Sequence, residues 1–271
     1  MAEWLDTQGY PLEMRVARAF RASRFRVIQS EYYSDPETKS SREIDVIASV
    51  DASNEDFLFR VTFVVECKMS RDKPWVLFTG TSRGLADPAR VAQRASNGLG
   101  GRLLMALAKE KVAQDLQIFA LHGRPAHGVT QAFTSGTDAA FAALHGAAKA
   151  TAALASQRGG SSVPVLQVFF PVVVIEGRVF EYYLGKRDEP IVEEVGEGTL
   201  LWRNPVVDEP HTIIDLVVLS ELPAYVARAA SACESLFAHS GELCRSVITA
   251  ARTPRRFVRS PGIGWVDSWR E

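Results

Sequence analysis

Apolar residues recur at helical spacing at Leu12, Val16, Ala19 and Phe20, directly after Pro11. That spacing predicts a first helix, opened by the proline and turning at Ser23-Arg24. The period then shortens to two. Arg24 to Tyr33 reads as a strand, Asp35-Pro36-Glu37 with Lys39-Ser40-Ser41 as a polar turn, and Ile44 to Val50 as a second strand. Asp51 to Asp56 is a polar loop, and Phe57 to Met69 a long third strand. Asp87-Pro88 is a cap and first-turn pair, so a helix starts there. Asn97-Gly98 marks a break before a second helical run from Leu99 to Leu116, and Gln117 to Leu121 reads as a short apolar strand. The order is helix, three strands, helix, strand.

Thr137 to Gln157 is alanine-rich and helical in pattern, and it ends at Gly159-Gly160-Ser161-Ser162, the best linker in the chain. Val163 to Leu184 reads as a β-hairpin around Glu176-Gly177. Leu200 to Arg203 and Ile213 to Leu219 read as strands, and Ser220 to Ala238 as a helix with Leu222, Val226, Ala229, Cys233, Leu236 and Phe237 on its apolar side. The division expected is a core over residues 1–158 and a β-rich extension over 163–271, which either extends the same sheet or forms a small companion domain.

Composition sharpens this picture. The 271 residues are 46% hydrophobic and 23% charged, which suits a folded α/β protein with a sizeable core. A net charge of −1 excludes a uniformly basic coat, but not a local cationic cleft. The acidic stretch 160–222 carries 11 acidic and 4 basic residues, so it should face away from a polyanion. The segment from Gly241 holds 6 basic and 3 acidic residues, with Arg252, Arg255, Arg256 and Arg259 close together as candidate backbone contacts. Three cysteines without a CxxC pair fit a reduced, cytoplasmic chain and exclude a zinc ribbon or disulfide scaffold. The longest apolar run, Val168 to Ile175, is eight residues and contains Pro171, so no membrane partner is expected.

The chemistry lies in Arg42-Glu43-Ile44-Asp45-Val46-Ile47-Ala48 and Val64-Val65-Glu66-Cys67-Lys68. Strand alternation places Glu66 and Lys68 on one face and Val65 and Cys67 on the other. An antiparallel hairpin turning in the polar loop brings Asp45 opposite Glu66. Two neighbouring carboxylates repel unless a hard cation sits between them, and Mg²⁺ takes one or two carboxylates with water and phosphate oxygens. A lysine beside such an ion can orient water and stabilise charge developing on phosphorus.

At these residues the chain resembles the PD-(D/E)xK, or restriction-endonuclease-like, nuclease superfamily. The opening Gly9-Tyr10-Pro11-Leu12-Glu13 and Phe25-x-Val27 look most like Mrr-type bacterial restriction nucleases, over roughly residues 9 to 122. The resemblance implies that Asp45 and Glu66 are metal ligands, Lys68 the catalytic lysine, and Glu13 a further ligand. It also implies that Gln93 assists at the substrate. The Tyr that often follows four residues after that glutamine is Asn97 here, Ile44 stands where a proline often precedes the aspartate, and Arg24 replaces the usual glycine. The expected function is Mg²⁺-dependent hydrolysis of DNA phosphodiester bonds, with Mn²⁺ substituting, in restriction, phage defence or repair. Double-strand cleavage implies a homodimer. The alternative is an inert member of the fold that serves as a binding module.

Overall fold

The structure, a computed structural model, describes residues 1, 4, 7–35, 38–80, 86–157, 160–203 and 212–252. Helix α1 (Tyr10–Ala22) starts with proline in its first turn and buries Leu12, Val16, Ala17 and Phe20. Arg24 terminates it with a left-handed φ of 65°. Phe25 N donates to Phe20 O at 3.2 Å and Arg24 N to Arg21 O at 3.0 Å, a Schellman-type cap. A Cβ is strained at that position, where glycine is not. Arg24→Gly should therefore stabilise by about 1 kcal/mol, raising Tm by ~2–4 °C in a calorimetric scan. An unchanged or lower Tm would contradict the cap assignment.

Strands β1 (Arg26–Ser34), β2 (Ser41–Ser53) and β3 (Leu58–Thr79) follow as antiparallel neighbours. The chain then runs through α2 (Asp87–Ala92), the short strand β4 (Ala95–Ser96), α3 (Gly98–Leu107) and α4 (Lys111–Gln114). A 3₁₀ turn (Gln117–Phe119), β5 (Ala126–Gln131) and α5 (Ala139–Ser156) lead to β6 (Val165–Leu184), which lies parallel to β3. Next come β7 (Pro190–Val195), β8 (Glu197–Trp202), β9 (Thr212–Val218) and the long helix α6 (Leu222–Arg252). All nine described strands join one mixed sheet, so the second half extends the sheet of the first. The pairings β3–β5, β5–β8, β8–β9, β9–β6 and β6–β3 close a ring at the far end of the two long strands.

The sheet has a core on each face. On one, α1, α3 and α6 pack over Phe20, Phe25, Phe63 and Phe170, with Phe63 and Phe170 stacked at 5.3 Å. On the other, α5 lays Ala143, Ala147 and Ala150 close against the strands, an approach that only small side chains permit.

Three expected elements are corrected. Gln117 to Leu121 is not a strand: Gln117–Phe119 form a 3₁₀ turn that drives Ile118 and Phe119 into the core. The strand that lies parallel to β3 is β6, after α5. Residues 163–184 are not a hairpin, because Glu176 and Gly177 lie mid-strand in β6. Gly177 is needed there for close approach, since a Cβ would meet the Ser70 carbonyl. The run Leu99 to Leu116 is interrupted after Leu107. Asn97-Gly98 does mark a break: the Asn97 side chain caps α3 by accepting from Gly100 N at 2.7 Å, and its Nδ2 donates to Val165 O on β6 at 2.8 Å. Pro36, Glu37 and Gly159, in the expected turn and linker, lie outside the described residues.

Candidate functional site

The β2–β3 hairpin turns at Asn54 to Phe57, and its last paired positions are Val46 and Val65. Asp45 and Glu66 are the next residues on each strand. Here the strands diverge, β2 continuing with β1 and β3 with β6. In place of a ladder bond, Cys67 N donates to Asp45 Oδ2 at 2.7 Å. Lys68 Nζ sits 2.8 Å from Glu66 Oε1. The other oxygen of Glu66 faces α5 at Gly146, where even an added Cβ would stand 3.8 Å away.

Alternation slips by one at Asp45. Ile44 and Ile47, three residues apart, share the core under α5, whereas Val46 and Ala48 lie in the core under α1 and α6. Ser30 falls opposite Asp45 in the β1–β2 register, between the pairs Gln29–Val46 and Glu31–Ile44, and has φ 55°. This irregularity re-aims the strand at Asp45, a common use of such defects.

The electrostatics bind the four groups together. Burial, then the Glu66 charge, push the Asp45 carboxyl up to about 7 against the Cys67 hydrogen bond, and Glu13 adds to the rise. Glu13 on α1 is raised by burial and by Glu43 and Glu66, and lowered by Lys68. Burial disfavours the Lys68 ammonium, but the Glu66 charge and hydrogen bond outweigh it and hold its pKa above the ordinary value. Asp45, Glu66, Lys68 and Glu13 therefore share one field. With three carboxyls against one ammonium, that field favours a cation.

Two neighbours escape the sequence pattern. Lys149 is the one Lys, Arg, Asp or Glu in the alanine-rich α5, and it reaches the fully buried Asp35 at 3.2 Å. Arg42 meets the same carboxylate at 2.8 Å. The Tyr33 phenol, raised by burial and Asp35, also feels Glu66, so this group adjoins the site. The isolation of Lys149 in an apolar helix is the signal that could have found it.

Other expected residues lie elsewhere. Gln93 ends α2 and lines a cavity of about 480 Å³ with Arg94, Ser96, Thr151 and Thr212, among whose lining residues Asp45, Glu66 and Lys68 do not figure. Its Oε1 is buried without a hydrogen-bond partner. Arg252 ends α6 beside Glu55 and Asp56 at the hairpin turn, where β3 starts, well short of Glu66. Eight strand steps from Leu58 to Glu66 span about 26 Å. Arg255 and Arg256 lie outside the described residues. Elsewhere in the fold, the buried Asp215 accepts from Tyr225 Oη at 3.0 Å, a structural pairing.

Among the described residues, no group of three or more His, Cys, Asp or Glu side chains closes on a common metal position. The donor set nonetheless fits a hard divalent ion, which needs one or two carboxylates. Asp45 and Glu66 supply them, and the raised Asp45 carboxyl shows the strain that a cation would relieve. No described helix is long and apolar enough to cross a membrane. Comparison with known protein families, curated proteins and solved structures gave no match.

Proposed function

We propose that this protein is a Mg²⁺-dependent nuclease of the restriction-endonuclease-like class, hydrolysing DNA phosphodiester bonds in restriction, phage defence or repair. The observation that carries the reading is the meeting of Asp45, Glu66 and Lys68 where β2 and β3 part, with Glu13 of α1 near enough to feel their charges and the Asp45 carboxyl pushed up to about 7. Asp45 and Glu66 would hold the ion, with Glu13 in support; when bound, it supplies Lewis acidity at a phosphoryl oxygen. The chain's own groups do the rest. Cys67 N fixes the Asp45 carboxylate, and Glu66 holds the Lys68 ammonium. Lys68, about one-third exposed, can donate to an attacking water and stabilise the charge that builds on phosphorus. Cleavage of both DNA strands would call for two such sites, hence a homodimer.

A second reading, an inert binding module, draws on the closed Lys68–Glu66 pair and on the lack of a third side chain converging on the carboxylates. Plasmid nicking separates the two. The nuclease reading expects supercoiled DNA to relax with Mg²⁺ or Mn²⁺ and to survive in EDTA, with Lys68→Ala as control. Intact plasmid at millimolar Mn²⁺ would favour the binding module.

A further inference from the structure

We propose that the bulge that follows Lys68 on β3, carrying Arg71 and Lys73, is a phosphate-binding subsite for the DNA strand crossing the site. The proposal rests on the nuclease reading and adds the path of the substrate. Between Ser70 and Trp75, β3 advances five residues while β6 advances two, from Gly177 to Val179. Three residues are thus extruded from the ladder. Bulges of this kind often flank active sites, where they re-aim side chains.

The extrusion is firmly held. Ser70 Oγ donates to Lys73 O at 2.5 Å, and Gln131 Nε2 donates to Ser70 Oγ at 2.8 Å. Arg71 meets Glu176 at 2.7 Å, and Arg15 of α1, two residues past Glu13, meets the same carboxylate at 3.4 Å. Arg71 and Lys73 bring two cations to the bulge, against the one carboxylate of Asp72 among the residues between Ser70 and Trp75. Lys73 is exposed and has no ion pair among the described residues. Ser70, Arg71, Asp72, Lys73 and Gln131 line a cavity of about 390 Å³.

Position makes this cavity useful. Ser70 lies two strand residues beyond Lys68, about 7 Å, a distance of one or two nucleotide steps along a strand. The carboxylates of the site repel a polyanion, so approach needs cations beside them. Arg252 cannot supply them, being next to Glu55 and Asp56 at the hairpin turn where β3 starts. Arg15, Arg71 and Lys73 sit where they are needed.

The test uses the full chain bearing Lys68→Ala, with Mn²⁺ and a fluorescent duplex read by anisotropy. Adding Lys73→Ala should weaken binding about fivefold and lower the slope of log K against log salt by about 0.9, one released counterion. Lys73→Glu should weaken binding further, and Asp72→Asn should tighten it. In the chain with Lys68 intact, Lys73→Ala should raise KM more than it lowers kcat. The Mn²⁺-induced rise in Tm, expected to vanish in Glu66→Gln, should persist in every Lys73 variant. Unchanged affinity and salt slope in all three variants, with a parent that binds DNA, would overturn the subsite and leave the nuclease reading standing. A parent that binds no DNA at low salt would overturn both.

Discussion

Replacing Lys68 with alanine should lower Mg²⁺-dependent cleavage by about 10³-fold, ~4 kcal/mol of barrier, while the metal-induced rise in Tm survives. In the proposed nuclease Lys68 would act on the water and on the transition-state charge, not as a ligand, so its loss would remove rate and leave the carboxylates to bind the ion. Glu66→Gln should abolish both cleavage and the rise in Tm. For the wild type that rise should be large: an ion at a hundredfold excess over its Kd stabilises by ~2.7 kcal/mol, or about 5–10 °C. The rival account treats Lys68 and Glu66 as a structural pair. At 36% and 19% exposure such a pair is worth about 1 kcal/mol or less, and both variants would then only shift Tm slightly. The two accounts differ by orders of magnitude in rate and by several degrees in Tm.

Asp45→Asn should stabilise the metal-free protein above neutral pH. Its carboxyl is raised from 3.8 to about 7, first by burial and then by Glu66. Between those values the native chain holds a proton that the unfolded chain has lost, so this contribution favours folding in acid and is lost as pH rises through 7. The ceiling set by that rise is about 4 kcal/mol. In EDTA at pH 8, Asp45→Asn should melt on the order of 5 °C or more above wild type, and at pH 5 the difference should shrink. Asparagine can still accept the Cys67 N–H bond through its amide oxygen, so the substitution removes charge and little else. A variant that melts lower at pH 8 would mean that Asp45 serves the fold as an ion-pair partner.

The central hairpin was legible because a polar stretch between two β-branched runs sets one register, although Asp51, Ala52 and Ser53 of the expected loop pair within β2 and the turn begins only at Asn54. The start of α1 was legible for a similar local reason, the proline in its first turn, whereas the left-handed Arg24 at its end carries no glycine to announce it. Other features depend on contacts distant in sequence. Gly177 carries a turn signal, yet the Ser70 carbonyl presses on it across the sheet, so the glycine serves close packing inside β6. Ile118 and Phe119 form an apolar run too short to separate a strand from a 3₁₀ turn. The slip at Asp45 depends on Ser30 across the ladder, which no two-residue period reveals. Gln93 was placed by analogy with a helical glutamine, but the end of α2 turns it into a different cavity. Asn97, at the expected tyrosine position, instead caps α3 and ties it to β6.

Crystals soaked in Mn²⁺ and measured at the manganese absorption edge would test the assignment of Asp45 and Glu66 as ligands most directly. The account predicts an anomalous peak within coordinating distance of both carboxylates, absent in crystals of Glu66→Gln. A wild-type map with no peak there at millimolar Mn²⁺, and Lys68 still closed on Glu66, would contradict it.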